Sequence, residues 1–584
     1  MTARQSLVLT RAAGFQAFGR PLARWCGAGL LLVACLAGCS SPQAQGPAAG
    51  QAPVEGAPVP KVNRLVMSIA PPNTESNKTA VAATVQYFQV FPMYEFLIGV
   101  SEQGKEMTPQ LATEWSLGAD GASYRFKLRP GVPFHAGKGP LSAQDVVFSF
   151  EDNKRQSQED VVPPQVITMV KQVLSVTAAS DSEVDVRLDK PDAGFLTGIS
   201  QAENVMPIRS KADAASRPQG PTMQDAPYAG TGPYAFDSRE QSRYVRYKKI
   251  AGEHWRKSAA FPEFEFRFAK EASTRLAALL AHEAQITALS PDLAPQAVQA
   301  GFKSIQGKAP GLHAFLRLLG VYTNRRIQAD EKLNANPSAP FIYMDTPLLD
   351  VRVRKALNRA IDRDAINKAF IGGRGETIYN LYFHPTRPGW NPAWQAQFKD
   401  AYGYDPNDAK RLIAEAGYGP NRPLSITMQL RPYPAFTAIL DIDEAVANYW
   451  RAVGVQVKLE QADPAEFTAK DRRAEYDDHV YAVATSVRQL LGVGIYNSAN
   501  QGQRGGVQLP ELEEVYEQIR VTVDPKKSEE LWRKWGDMAF ERYVNIPLAW
   551  IPSEAVVDPS IIADYVYPGS ITGTYSHLEY ITPK

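Results

Sequence analysis

The chain has 584 residues, with 63 Lys and Arg against 62 Asp and Glu and 44% hydrophobic residues. So neutral a balance gives no electrostatic reason to expect nucleic acid or an anionic membrane surface as partner. The only cysteines are Cys26, Cys35 and Cys39, which excludes disulfides, thiolate metal sites and a cysteine nucleophile from everything beyond them.

Arg4, Arg11, Arg20 and Arg24 precede an apolar run over residues 25–36, followed by Ala37, Gly38 and Cys39, with no acidic residue among them. A basic start, a short apolar centre and small residues make the order of a secretory signal. The run is shorter than the about 18 to 20 residues of a membrane-spanning helix. Leu36-Ala37-Gly38-Cys39 resembles the lipobox of bacterial lipoproteins. That implies removal of residues 1–38 and acylation of Cys39, whose chains would hold the protein on a bilayer. Ser40, where an aspartate would mark retention, leans toward the outer membrane. Residues 40–61 are rich in Pro, Ala, Gly and Gln and lack apolar periodicity, so 39–62 is expected to be the lipidated cysteine and a flexible tether. Without the four signal arginines, 59 basic residues stand against 62 acidic ones.

The body of the chain exceeds the usual size of one domain. Residues 64–70, RLVMSIA, read as a buried strand. Residues 123–135 alternate Tyr124, Phe126 and Leu128 with Arg125, Lys127 and Arg129, the period of a half-buried strand, and Pro130-Gly131 ends it. Ser142 and Asp145 form a capping box ahead of VVFSFED. GTGPYAF, residues 230–236, is a tight turn entering a strand rather than a phosphate cradle, because no helix follows it. Two helices are expected within residues 345–373, capped by Asp350 and Asp362. A third starts at Asp405 with Pro406 in its first turn, buries Leu412 and Ile413 and stops at Gly417. Residues 443–461 read as helix, glycine stop and strand. Alternation of this kind predicts an α/β fold.

The seven histidines are scattered, and His282-Glu283 lacks the second histidine of a zinc-protease helix. No G-x-S-x-G elbow, Walker loop or calcium-loop spacing occurs. Catalysis therefore has no sequence support, and neither a cofactor nor a metal is expected.

Taken in order, LATEWSLGADGASYRFKLRPGVPFHAGKGPLSAQDVVFSFED, GTGPYAF, DVRVRKALNRAIDRDAI, YGYDPNDAKRLIAEAGY and IPLAW resemble the family 5 extracellular solute-binding proteins of ABC importers, the oligopeptide and dipeptide receptors among them. The resemblance implies a two-lobed periplasmic-binding-protein fold with a hinge, closing on ligand by a population shift. It places lobe I at 63–318 with a sub-domain insertion at about 101–225, lobe II at 319–543, and a return to lobe I over 544–584.

In the peptide-binding members a loop ahead of a YEGL-like motif, here YEFL at residues 94–97, lines the site, which implies Gln86, Tyr87 and Phe88. Trp390 and Trp394 lie where family members present site aromatics. The second lobe's motif is roughly YD-x-x-x-x-G-W-x-x-D, its aspartate pairing with a peptide ammonium. Alignment on Tyr476-Asp477 puts Ala482 and Val483 at Gly-Trp and Ser486 at the aspartate, so Val483, Ala484, Thr485, Ser486 and Arg488 become candidates. A buried ammonium without a charged partner costs several kcal/mol, which argues against ordinary capture of a free peptide N-terminus unless Asp477 or Asp478 serves after a register slip. Arg488 would instead suit a ligand carboxylate or phosphate.

The resulting expectation is a non-enzymatic, membrane-tethered periplasmic receptor, monomeric and binding no nucleic acid. It would hand a peptide or modified peptide to an ABC permease and ATPase. A non-peptide solute such as a sugar or acidic organic molecule, or a non-transport interaction lipoprotein of the same fold, are the alternatives.

Overall fold

A computed structural model describes residues 62–584 apart from 105–106, 223–224, 291–292, 325–337, 386, 433–435, 437, 486–488, 498–505 and 569–574. The expected signal and tether, with Cys39, lie outside the described residues.

The fold is organised by a ten-stranded mixed sheet. In chain order its strands are Arg64–Ile69 (β1), Tyr234–Glu240 (β2), Tyr244–Lys249 (β3), Glu263–Phe268 (β4), Ile286–Thr287 (β5), Lys303–Leu318 (β6), Ser425–Leu430 (β7), Gln456–Gln461 (β8), His479–Thr485 (β9) and Ile546–Val557 (β10). Their spatial order is β8-β7-β9-β6-β10-β5-β1-β4-β3-β2. β1 is parallel to both neighbours and buries nearly every residue, which is why RLVMSI is apolar almost without alternation.

Two lobes share this sheet. β6 and β10 are long antiparallel strands that cross from one to the other: residues 303–306 of β6 pair with residues 554–557 of β10, whereas residues 313–318 pair with β9 on the opposite side. The β6–β10 ladder slips between Gln306 and Leu312, where Pro310 faces Pro552. Proline supplies no N–H to a ladder. Beside it, a Cβ on Gly311 would lie 2.1 Å from the Ser553 hydroxyl. The crossing is thus a stretch where the sheet's regular hydrogen bonding is relaxed.

Apolar packing divides in the same way. One core gathers Leu65, Met67, Tyr94, Phe264, Phe266 and the C-terminal Tyr565 and Ile581. A second holds Phe126, Leu128, Val146, Phe150 and Val186 around a four-stranded sheet. The largest gathers Phe315, Leu357, Ile426, Trp450, Val480, Trp535 and Trp550.

Local rules place the helices. The Ser142 amide and hydroxyl both donate to Asp145 Oδ2, at 2.9 and 2.7 Å, ahead of helix Ala143–Glu159. Asp350, Asp362 and Asp405 accept first-turn amides of helices Val351–Arg359, Arg363–Phe370 and Pro406–Glu415. Gly417 and Gly454, with φ of 87° and 94°, end helices in the left-handed conformation that glycine adopts without strain. At the GTGPYAF turn, Cβ atoms on Gly230 and Gly232 would lie 2.0 and 2.4 Å from the carbonyl oxygens of Met93 and Pro92. Those glycines exist for close packing against the segment preceding YEFL.

A buried charge chain ties that segment to the C-terminus. Glu95 accepts from Thr231 Oγ1 at 2.9 Å and Trp255 Nε1 at 2.8 Å, and Arg256 Nη2 lies 3.3 Å from its other oxygen. The same guanidinium donates to Glu579. Burial alone would raise the Glu95 carboxyl, but His254, Arg256 and Trp255 hold it below its ordinary pKa.

Candidate ligand-binding site

β6 and β9 pair antiparallel in a register that sets His313 opposite Thr485, Phe315 opposite Val483 and Arg317 opposite Tyr481. Because side chains alternate across a strand, these six share one face. Ala314, Leu316 and Leu318, opposite Ala484, Ala482 and Val480, share the other. The second face is dry and small-residue; there helix Ile439–Ala452 presents Asp443, whose Oδ1 accepts the Ala482 amide at 2.8 Å.

The first face is aromatic and basic. Tyr382 stands edge-on to His313, ring centroids 4.9 Å apart, and lies 6.0 Å from Phe315. Trp550, across from His313 on β10, is 5.5 Å from the imidazole, and His384 packs edge-on to the same indole. Tyr382 holds a φ of 70°, unusual for a bulky residue. It is pressed by Gly492, where a Cβ would lie 2.2 Å from its ring. Arg317 donates from Nη1 to the Tyr481 hydroxyl at 2.8 Å. A second guanidinium, Arg431, sits 4.8 Å over Phe467 and 5.9 Å from the other reach of Tyr481.

Electrostatically this face is unusual. His313 is fully enclosed and neither ring nitrogen has a hydrogen-bond partner; burial, then Arg387 and Arg317, push its pKa down to about 3, so the imidazole is neutral. Burial lifts the Tyr382 hydroxyl to about 12 despite Arg317 nearby. Arg317 is 5% exposed and forms no ion pair among the described residues.

Of the sequence-predicted residues, Val483 and Thr485 lie on this face, while Ala484 points to the opposite one, fully buried. Ser486 and Arg488 lie outside the described residues. Tyr87 is enclosed by Phe91 and Phe96, its hydroxyl unpartnered, and Phe88 packs against Phe266 and Phe268. Gln86 belongs to the same short helix, Thr84–Gln89, its side chain outside the described set. Trp390 is half-buried between Tyr379 and Trp394. Trp394 is closed in against Phe383 and Gly536 and donates to Asp537 at 2.9 Å.

Sequence reasoning missed His313, Arg317 and Tyr382. A signal existed in HAFLRLL, where histidine and arginine sit at even spacing in an otherwise apolar strand. The Asp477, Asp478 and His479 group is the metal-ligand-type cluster among the described residues. Its imidazole instead lies 3.4 and 3.1 Å from the two carboxylates as an internal ion pair. Among the described residues no helix is long and apolar enough to cross a membrane.

Comparison with known proteins accords with this architecture. The profile of the bacterial extracellular solute-binding proteins, family 5 Middle, matches residues 106–489. The dipeptide-binding protein of Escherichia coli (strain K12) is 29% identical over 406 residues, covering 66% of this chain and 69% of that one. Probable di/tripeptide-binding protein 5 of Pseudomonas aeruginosa (strain UCBPP-PA14) is 28% identical over 393 residues, covering 64% and 67%. Among solved structures, HbpA2 from Haemophilus parasuis superposes with a TM-score of 0.69 at 23% identity, covering 89% of this chain and all of that one. The periplasmic binding protein DppA from Helicobacter pylori, in complex with peptide STSA, gives 0.63 at 21% identity, covering 89% and 97%. Relatives in this family bind substrates without transforming them. With the match spanning most of both lobes, the chain belongs to the family 5 extracellular solute-binding proteins of ABC importers.

Proposed function

We propose that this protein is a lipid-tethered periplasmic receptor that captures a peptide or modified peptide between its lobes and delivers it to an ABC permease. The carrying observation is the β6–β9 face, where a row of aromatic and polar side chains, Val483 and Thr485 among them, lies beside the crossing strands. A site so placed is completed by hinge closure, which gives ligand a higher affinity for the closed state. The names of the relatives support a peptide ligand. Phe88, Trp390 and Val483 supply side walls in this reading, Trp394 buttresses Trp390, and Ser486 and Arg488 follow β9 in sequence as further candidates. In this reading lobe I takes 63–318 and 544–584, with the insertion near 101–225, and lobe II takes 319–543; the separate cores around Phe264 and Phe126 support the first two, while the crossing residues 314–318 and 544–551 pack into the core of the second lobe.

The test is thermal shift and native mass spectrometry on the protein starting at residue 40 behind a cleavable export signal, purified from a periplasm and then offered a peptide panel. A bound ligand raises the melting temperature by mass action. Co-purified peptide, or a shift with panel peptides, upholds the reading; a shift only with sugars or organic acids overturns the peptide assignment. For the anchor, full-length protein carrying Cys39→Ala should leave the membrane fraction for the soluble one.

A further inference from the structure

Arg317 is a buried cation with no ion-pair partner among the described residues. It is 5% exposed, it donates to a neutral hydroxyl, that of Tyr481, and its Nε is buried with no acceptor among the described residues. A guanidinium carries five N–H donors, and burying a charge without a counter-charge costs several kcal/mol. Asp471 acts on it through space but forms no ion pair with it. Other charges nearby are of the same sign: Arg431 faces the same Tyr481 ring, and Arg387 and Arg317 both act on His313. The hydroxyls of Tyr382 and Tyr496 lie within electrostatic reach of the same guanidinium. Apart from Asp471, which makes no ion pair with it, the charges around Arg317 are positive and its hydroxyl partner is neutral, so a buried N–H donor of the guanidinium still lacks an acceptor among the described residues.

We propose that Arg317, with the hydroxyls of Tyr481 and Tyr382, is a subsite for one carboxylate of the captured solute, so that the ligand is a peptide bearing an acidic side chain. The inference rests on the peptide-receptor reading above. A carboxylate suits a single guanidinium in charge and in its planar two-oxygen geometry, whereas a phosphate dianion would leave an uncompensated buried charge. Reach agrees: Tyr481 and Val483 are alternate residues on one face, about 6.6 Å apart along the strand. A peptide lying against Val483 and Thr485 therefore brings a glutamate-length side chain to Arg317.

The test is isothermal titration of wild type and Arg317→Met with tripeptides of alanine carrying Glu at each position in turn, against their Gln counterparts, and with free glutarate. The expected result is one Glu peptide binding at least tenfold more tightly than its Gln twin, a preference that falls below twofold in Arg317→Met. The variant should melt no lower than wild type without ligand, since an uncompensated buried charge has been removed. Equal binding of Glu and Gln peptides overturns the subsite and leaves the peptide receptor standing. Glutarate binding that Arg317→Met abolishes, with no peptide bound, upholds the subsite and overturns the peptide reading. A ligand-free variant that melts well below wild type, but keeps the Glu preference, shows a structural arginine and overturns the proposal. Absence of binding to every probe overturns both.

Discussion

The Asp443 carboxyl accepts the Ala482 amide through Oδ1 at 2.8 Å, while its Oδ2 is buried with no hydrogen-bond partner. Burial raises its pKa well above the carboxylate range, and the single amide offsets only part of that. The folded state therefore holds this proton more tightly than the unfolded chain. Stability from this group is greatest below the unfolded value of about 3.9 and declines as pH rises above it. Asp443→Asn keeps an acceptor for Ala482 and removes the titration, so it should melt higher than wild type at pH 7 and show a flatter profile from pH 4.5 to 8 by scanning fluorimetry. Asp443→Ala strands the amide, costs about 1–3 kcal/mol and shows no such gain.

The Glu95–Arg256–Glu579 chain behaves oppositely, because its charges are mutually satisfied. Arg256→Met leaves two enclosed carboxylates without their shared guanidinium, and removing one partner of a buried pair costs about 3–5 kcal/mol. Adding Glu95→Gln and Glu579→Gln to that variant should recover a large part of the loss. Thermal melts of the single and triple variants check this; a single variant as stable as wild type would show the chain to be idle.

Gly320, just past β6, has a φ of 111°, and a Cβ there would lie 1.7 Å from the Asp477 carbonyl oxygen. Gly320→Ala therefore combines backbone strain with a backbone collision that no rotamer relieves. It should lower soluble yield and melting temperature far more than Gly419→Ala, which meets nothing within 4 Å.

What could be read from the sequence follows from the range of the forces involved. The capping box at Ser142, the aspartate caps and the glycine stops were legible because each interaction closes within about four residues. β1 was legible because both its faces are buried. The site was only partly so. Val483 and Thr485 were named from family order, yet the residues opposite them, Phe315 and His313, arrive from a strand some 170 residues earlier by register alone. Tyr382 comes from a third segment, and a tyrosine held at positive φ leaves no periodic trace. Trp394 donates its indole N–H to Asp537, a contact between segments 143 residues apart that sequence spacing does not reveal.

His479 titrates in the other direction from Asp443. Burial opposes its charge, but Asp477 and Asp478 raise its pKa to about 9. Its stabilising contribution is complete below the unfolded value of about 6.5 and is lost as pH climbs through about 9. His479→Gln should therefore close the gap between melting temperatures at pH 6 and pH 9.5, with wild type losing more over that interval.

β10 lies between β5 and β6 in the middle of the sheet, although it is built from residues 546–557 of a 584-residue chain. During synthesis the sheet is therefore left in two unconnected halves until nearly the whole polypeptide has emerged. Under the export proposed above, that delay would be an advantage, since no complete lobe-to-lobe sheet would exist to resist translocation. The same geometry makes the protein intolerant of late stop codons: a product ending before Ile546 loses the seam holding both halves together, not a peripheral strand.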